Sequence, residues 1–317
     1  MFNPSHAFNR RVSSKCLLLS ASLLLTFNVS AHEGVHADEE TQEARLVSAG
    51  AGVTELVLAL EAGDELVAVD STSILPASMT EIDTLGYHRM LSAEGILALT
   101  PTLVLGTDAM GPETTLEVLR SADVKVVKLP TAKDRSQLLS NIDTMGKLLN
   151  RQAQAKQLQL KLRASLDAIA AKKKQVGDAE QAPKILFMLL QADRPARVGG
   201  EGTAADIIIK LAGGNNIADF SGYKSLSQEG ILSLQPDFIL ISNRSHAHAS
   251  TSKSDANKAA SDAEKVLEAM PLLAHTPAGK NKRIQSIKPQ ALLGGLGLSA
   301  IEAADKLASD LIEINRY

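Results

Sequence analysis

The chain has 317 residues, of which 33 are basic and 36 acidic, and its formal net charge is −3 at pH 7. This near balance of charge argues against a nucleic-acid partner and against binding to an anionic membrane face. A single cysteine and no tryptophan are present. These counts exclude an internal disulfide and argue against carbohydrate binding on stacked aromatic platforms.

The first 31 residues have the pattern of a secretory signal peptide. Three basic residues among positions 10–15 precede an apolar stretch, 16–27, that is too short to span a bilayer, and small residues ending at Ala31 form a cleavage site. We therefore expect a mature chain exported to the periplasm, with net charge −6 and no thiol, because residues 1–31 hold three basic residues, no acidic residue and the only cysteine. Residues 32–43 are polar and acidic, which predicts a flexible leader.

The region 44–148 alternates short apolar runs with helical patterns, and this rhythm predicts an N-terminal α/β lobe with a parallel sheet. Ser92 is expected to cap a short helix with Glu94 in its first turn. Thr54 is expected to cap the first helix. The predicted strands are 45–48, 66–69, 103–105 and 124–129, and the other predicted helix of this lobe is 113–119.

The region 149–178 predicts one long linking helix of about 25 residues, or about 37 Å. Leu158, Leu162, Leu166 and Ile169 fall on one of its faces, and the lysines at 172–174 are expected in solvent. A second α/β lobe is predicted over 179–317. Its predicted strands are 184–190, 239–242 and 283–287, its helices 204–212, 266–270 and 299–315, and its loops 196–203 and 271–281.

One stretch occurs twice in the chain. Residues 86–105 and 222–240 align at a constant offset of 135 from Leu91 and Leu226 onward, and both contain Ser-x-Glu-Gly-Ile-Leu. A repeat of this kind indicates one supersecondary unit used twice, hence two related lobes. The copies differ in their first residues, which are Tyr87-His88-Arg89 in one and Tyr223-Lys224-Ser225 in the other.

The chain resembles the periplasmic binding proteins that serve iron-siderophore, cobalamin and heme importers, and within that class it is similar to the heme-binding group. The resemblance implies two Rossmann-like α/β lobes joined by one long α-helix, with the ligand in the cleft between them. It also implies a monomer without enzymatic activity that delivers ferric heme to an inner-membrane ABC permease and its ATPase. The residues that carry it are 86–97 (GYHRMLSAEGIL), 106–109 (GTDA), 203–206 (TAAD), 222–224 (GYK) and 276–279 (TPAG).

By this resemblance Tyr87 is the axial ligand of the heme iron and Arg89 supports it. A phenolate is a hard, anionic donor suited to ferric iron, and tyrosine ligates heme in other proteins. Tyr223 occupies the matching position of the other copy and is the competing candidate. Arg244 is a candidate partner from the second lobe. The sixth position of the iron stays open, with His88, His246, His248 or no protein ligand as alternatives.

Glu94 and Glu229 occupy equivalent positions in the two copies. An acid in the first turn of a helix is favoured by the helix dipole, which suffices to explain either alone. The resemblance implies instead that both glutamates dock onto arginines of the permease. The stiff linking helix predicts small motion between the lobes.

The sequence leaves two alternatives to heme binding. A cobalamin-binding or ferric-siderophore-binding protein of the same class is the first alternative. An exported hydrolase is the second, and the sequence contains no GxSxG or HExxH motif to support it.

Overall fold

The computed structural model describes residues 44–177, 181–191, 194–243 and 263–314. Within these ranges none of the helices combines the length and the apolar character needed to cross a membrane. The architecture is α/β, with two separate sheets and helices packed on both of them. The predicted signal segment, the leader, Arg244, His246 and His248 lie outside the described residues.

The first lobe is built on a parallel sheet of five strands in the order β3-β2-β1-β4-β5. Helices follow β1, β3 and β4, which agrees with the predicted strand–helix rhythm, whereas a loop separates β2 from β3. The elements are β1 (Leu46–Ala49), α1 (Ala51–Ala59), β2 (Leu66–Val69), β3 (Asp83–Thr84), α2 (Ala93–Leu97), β4 (Leu103–Thr107), α3 (Glu113–Ser121) and β5 (Lys125–Leu129).

Two helices follow the first sheet, α4 (Arg135–Leu148) and α5 (Gln152–Val176). The long helix α5 has 25 residues and corresponds to the predicted linking helix. It buries Leu162, Leu166 and Ile169 on one face and contacts α4 on one side and helices of the second lobe on the other. The linker is therefore packed against both lobes rather than spanning open solvent.

The second lobe carries a mixed sheet in the order β11-β10-β6-β7-β9, in which β7 runs antiparallel to its two neighbours. The strands are β6 (Lys184–Gln191), β7 (Arg194–Gly199), β8 (Asn215–Asn216), β9 (Tyr223–Ser225), β10 (Phe238–Asn243) and β11 (Ile284–Ser286). The helices are α6 (Ala204–Ala212), α7 (Gln228–Leu234), α8 (263–269), α9 (Pro277–Lys280) and α10 (Leu298–Ile314).

The two sheets share one strand order, as the sequence repeat predicts. In each lobe a repeat copy supplies a short helix, α2 or α7, and the strand that follows it, β4 or β10. That strand pairs in parallel with the central strand, β1 or β6. The second lobe departs from the first next to this unit, because β6 turns directly into the antiparallel β7 where the first lobe has the crossover helix α1.

Several local predictions were wrong. Helix α1 begins after Gly50, whose φ of 122° suits glycine, and Thr54 lies inside the helix with its hydroxyl 2.8 Å from that of Ser48. Residues 196–199 of the predicted loop 196–203 belong to β7. The predicted loop 271–281 contains a 3-10 turn (Pro271–His275) and the short helix α9. Pairing with β6 outweighs the local Gly signal at β7. At α9 the local signals themselves favour a helix, because Pro277 occupies the first position and Thr276 caps it.

Two lysines predicted to lie in solvent bond to the second lobe. Lys172 Nζ donates to Asp305 Oδ1 at 2.7 Å and to Ser309 Oγ at 2.9 Å, both on α10. Lys173 Nζ donates to the carbonyl oxygen of Lys210 at 2.9 Å, at the end of α6. These bonds are partly exposed and each contributes at most about 1 kcal/mol, but they fix the end of α5 against the second sheet's helices.

A second connection joins the lobes at residues 295–299. Leu296 N donates to the carbonyl oxygen of Ala132 at 2.7 Å, and Gly295 pairs with Ala132 as an isolated β-bridge. Nearby, the Glu55 carboxylate of α1 accepts hydrogen bonds from the backbone N–H and the hydroxyl of Ser299, in the first turn of α10. Burial raises the pKa of Glu55, although these hydrogen bonds oppose the rise. The lobes are thus joined by α5 and by this backbone contact.

Gly295 should be sensitive to substitution. Its φ is 79°, and a Cβ at this position would overlap the carbonyl oxygen of Ala132. Gly177 has a φ of 113° with open space around it, so it serves as a matched control for backbone strain alone. We expect Gly295→Ala to lower the free energy of unfolding by about 1–3 kcal/mol more than Gly177→Ala does. Urea unfolding of both variants measures the difference, and equal losses would contradict the steric role of the contact.

Asp206 is a buried carboxylate that holds the start of α6. It accepts hydrogen bonds from Gly202 N at 3.1 Å, from Asn216 Nδ2 at 3.0 Å and from Lys210 Nζ at 2.9 Å. Burial acts to raise the pKa of Asp206, but these donors outweigh it, and the pKa lies below its ordinary value. Because the folded pKa lies below the unfolded one, Asp206 stabilises the fold above the unfolded pKa, and this contribution disappears as the pH falls through the folded pKa.

Replacing Asp206 by asparagine should therefore cost stability mainly at neutral pH. We expect Asp206→Asn to lower the free energy of unfolding by about 1–3 kcal/mol near pH 7, since charge-assisted hydrogen bonds are lost. The gap between wild type and variant should narrow toward about pH 3, below the ordinary pKa of an aspartate. Denaturant unfolding across this pH range tests the claim, and a gap that does not change with pH would refute it.

Candidate functional site

The Tyr87 turn, residues 87–90, lies at the carboxyl edge of the first sheet, three residues after β3. Met90 N donates to the carbonyl oxygen of Tyr87 at 2.7 Å and closes the turn. The neighbouring backbone pairs with the segment after β4, because Gly111 N donates to His88 O at 3.0 Å and Leu91 N donates to Gly111 O at 2.9 Å. The turn, which follows β3, is therefore held by backbone bonds to the segment that follows β4 in the same sheet.

The side chain of His88, the second residue of the turn, points into the lobe and is almost fully buried, with 6% of the residue's surface exposed. Its Nδ1 lies 2.9 Å from Oδ2 of Asp70, which is completely buried at the end of β2. This bond commits Nδ1 to a carboxylate inside the lobe. A histidine that ligates a metal through Nε2 commonly donates Nδ1–H to a carboxylate, so this bond by itself leaves Nε2 available. The burial of the His88 ring is what argues against it as the sixth ligand of a metal bound at Tyr87.

Asp70 joins three chain segments through its two carboxylate oxygens: its own turn, the start of α1 and the Tyr87 turn. Besides His88, it accepts from Gly50 N at 3.0 Å, from Ser73 Oγ at 2.7 Å, and from Thr72 N and Oγ1 at 3.2 and 2.7 Å. Burial acts to raise the pKa of Asp70, but the hydrogen bonds from His88, Thr72 and Ser73 together bring it below its ordinary value. The Asp70 carboxylate is therefore charged at neutral pH, and these donors stabilise its charge inside the lobe.

Asp70 was not among the residues singled out from the sequence. The signal that could have found it is an acidic residue directly after a buried strand, at the edge where the loops of an α/β sheet collect functional groups. The stretch 70–73, Asp-Ser-Thr-Ser, also has the composition of a side-chain-bonded turn.

Tyr87 and Arg89 present their polar groups outward from the turn. Tyr87 is half-buried and Arg89 is exposed. In the part of the chain that the structure describes, no hydrogen bond or ion pair involves the Tyr87 hydroxyl or the Arg89 guanidinium. The next residue, Met90, is an apolar side chain with 73% of its surface exposed. A phenol, a guanidinium and an apolar side chain thus share one short turn.

Tyr223, the competing candidate, is engaged in packing. Its ring meets Phe187 edge-on with the centroids 6.4 Å apart, and Arg197 Cζ lies 5.3 Å from its centroid. Tyr223 also belongs to a strand, β9, that is paired with β7. The two equivalent tyrosines of the repeat therefore have different surroundings, one in an exposed turn and one within a sheet.

Glu94 and Glu229 occupy equivalent places on α2 and α7. Ser92 and Ser227 cap these helices as the repeat predicts, accepting from Gly95 N at 3.4 Å and from Gly230 N at 3.2 Å. Both glutamates are exposed. Hydrogen bonds from its own backbone N–H and from the Ser227 hydroxyl hold the pKa of Glu229 below its ordinary value. Each lobe thus displays one solvent-facing carboxylate at the start of a short helix.

Cavities of different size lie at the two ends of the strands of the second sheet, and neither is lined by a predicted site residue among the described ones. The larger, of about 610 Å³, lies at the amino ends of β10 and β11 and contains none of the predicted site residues. The smaller, of about 160 Å³, is lined by Leu190, Ile241, Asn243 and Ser286 at the carboxyl ends of β6, β10 and β11, together with residues of α8. We give more weight to the smaller cavity, because ligands of open α/β sheets bind beyond the carboxyl ends of the strands.

Three or more His, Cys, Asp or Glu residues placed to hold a metal ion do not occur in the ranges 44–177, 181–191, 194–243 and 263–314.

Comparison with known proteins places these features in a family. The model of the periplasmic binding protein family matches residues 46–291, which is most of the chain and contains Tyr87, Glu94 and Glu229. Among curated proteins, an uncharacterized ABC transporter substrate-binding lipoprotein of Bacillus subtilis, YvrC, is 24% identical over 208 residues. The match covers 65% of this chain and 65% of that protein's own length.

Solved structures give longer matches. The periplasmic heme-binding protein HutB of Vibrio cholerae is 40% identical, with a TM-score of 0.73 over 85% of this chain and 99% of that one. A periplasmic heme-binding protein from Pseudomonas aeruginosa is 32% identical, with a TM-score of 0.73 over 85% of this chain and 92% of the other. These matches cover both sheets and α5.

Proposed function

The chain belongs to the periplasmic binding protein family, and from that premise we propose that it binds ferric heme and delivers it to an ABC permease of the inner membrane. The observation that carries the proposal is the Tyr87 turn, in which neither the Tyr87 hydroxyl nor the Arg89 guanidinium makes a hydrogen bond or ion pair among the described residues. The 40% identity to a heme-binding protein over 85% of this chain supports the same ligand.

The chemistry of heme suits a site with few protein ligands. The macrocycle supplies four nitrogens, so the protein needs to provide only an axial donor. Tyr87 would provide it as a phenolate, a hard anion matched to ferric iron. Binding to ferric iron would release the phenol proton, because metals bind such ligands in their deprotonated form. Arg89 would stabilise the phenolate or pair with a heme propionate.

The apolar part of the ligand needs apolar contacts. Met90 is 73% exposed beside Tyr87, and its flexible thioether side chain would pack on a porphyrin edge or face. Arg244, proposed as a partner from the second lobe, is the residue that follows β10 in the sequence.

Delivery to the permease would use Glu94 and Glu229. One exposed carboxylate on each lobe can engage two basic residues of a membrane partner and set the orientation of the complex. The signal peptide predicted over residues 1–31 agrees with a periplasmic location for this step.

The proposed axial ligand is tested by hemin titration of the purified mature protein. Tyr87→Phe keeps the ring and removes the donor oxygen, and we expect it to weaken hemin binding by about 10–100-fold or more and to abolish the charge-transfer bands typical of a tyrosinate ligand. Tyr223→Phe is the matched control and should retain both bands and affinity. Absorption spectra across the titration provide the measurement.

Three results would count against the proposal. A wild-type spectrum in Tyr87→Phe would reject this residue as ligand, and loss of the bands only in Tyr223→Phe would assign the iron to the other lobe. Absence of any spectral change in the wild type, combined with saturable binding of cyanocobalamin or a ferric siderophore, would favour the alternative ligands of this class.

The docking role is tested by charge reversal in the reconstituted transporter. We expect Glu94→Lys with Glu229→Lys to abolish heme delivery and leave hemin affinity unchanged, because both residues would act only on the permease. Glu117→Lys with Glu268→Lys makes the same change of net charge at exposed positions on α3 and α8 and should transport normally. Equal loss of transport in both double variants would point to net charge and contradict specific docking.

A further inference from the structure

We propose that His88, held by Asp70, is a positioning residue that sets the orientation of the Tyr87 ring toward the ligand. The inference rests on the proposed function, in which Tyr87 donates its oxygen to iron. The observation behind it is the contact of two rings, since the centroids of Tyr87 and His88 lie 4.4 Å apart with the planes inclined by 55°. The imidazole therefore forms a wall on one side of the phenol ring.

Hydrogen bonds of its side chain and backbone restrain the orientation of the His88 imidazole. Its Nδ1 lies 2.9 Å from Asp70 Oδ2, and a carboxylate can only accept, so Nδ1 carries the proton of this bond. Its own backbone accepts from Gly111 N at 3.0 Å. Asp70 is fully buried and bonded to Gly50, Thr72 and Ser73, which prevents the carboxylate from following any movement of the ring.

The orientation of the phenol matters to the proposed ligand. A tyrosine side chain turns about two bonds, and fixing them before binding removes an entropic cost that the complex would otherwise carry. The direction of the phenolate oxygen also determines how the C–O bond meets the iron. Groups that orient a metal ligand without touching the metal affect affinity by about 10–100-fold in other metal sites.

The device is present in one copy of the repeat only. The residue after Tyr223 is Lys224, and its Nζ lies 4.7 Å from the ring centroid of Phe220 rather than bonding a buried acid. Tyr223 itself is packed against Phe187. The copy that carries the proposed ligand is therefore also the copy with an acid–histidine pair beneath its tyrosine.

Two substitutions separate the effect of the ring contact with Tyr87 from the effect of the hydrogen bond to Asp70. His88→Asn keeps a donor near Nδ1 for Asp70 and removes the ring. His88→Phe keeps a ring against Tyr87 and removes the donor. His275→Asn makes the first change at an exposed histidine of the second lobe and is the matched control.

We expect all three variants to unfold cooperatively as apoproteins. His88→Asn should shift the tyrosinate charge-transfer band of the hemin complex and speed heme loss to a scavenging apoprotein by about tenfold or more. His88→Phe should change both in the same direction by less, and His275→Asn should match wild type.

The readouts separate a failure of this inference from a failure of heme binding. Suppose that the wild type binds hemin and that His88→Asn shows the same charge-transfer band and the same rate of heme loss as the wild type. The positioning role is then refuted, while the proposed heme site is not. If His88→Asn no longer unfolds cooperatively, His88 serves folding and the positioning role is likewise refuted.

If wild type does not bind hemin, the proposed function fails, and NMR of the apoprotein then decides the inference. Loss of the ring-current shift of the Tyr87 protons in His88→Asn would support a fixed contact, and unchanged Tyr87 shifts would overturn it.

Discussion

The packing of α5 against both lobes is the constraint on which the rest of the structure depends. One hydrophobic cluster spans both lobes and includes Leu46 and Leu105 from the first sheet, Leu162 and Ile169 from α5, and Leu240 from the second sheet, while each lobe also has a separate cluster of its own. Each large side chain buried in this way stabilises the fold by about 1.5–3 kcal/mol. Moving one lobe away from α5 would expose part of this core, so the relative placement of the lobes is set by burial as well as by chain connection.

The backbone contact at residues 295–299 adds a second restraint on the same arrangement. It uses the close approach of Gly295 to Ala132 and the bonds from Ser299 to Glu55. Restraint at these two places limits changes in the distance and angle between the two sheets, and Tyr87 lies at the edge of the first. Such a scaffold suits recognition of a rigid, planar ligand, because little ordering remains to be done when the ligand arrives.

Divergence of the repeat explains how one supersecondary unit serves two purposes. Both copies keep the serine-capped helix and the following buried strand, because these support the sheet. Ahead of that helix, the first copy has a turn held above Asp70 and His88, and the second has β9 paired with β7. The same residue type, tyrosine, is consequently available for a ligand in one lobe and used for packing against Phe187 in the other.

Sequence patterns alone determined the fold class, the two lobes, the 25-residue helix and the serine caps of α2 and α7, because these follow from local periodicity and from the repeat. They also singled out Tyr87, Arg89, Glu94 and Glu229. They missed β7, since a Gly-rich segment becomes a strand only when β6 lies beside it to accept its hydrogen bonds.

Only the tertiary structure brought Asp70 to His88 across 18 residues and gave Tyr87 and Tyr223 different surroundings. Pairings of this kind depend on loops that meet at a sheet edge, and no local pattern in the chain encodes which loops will meet.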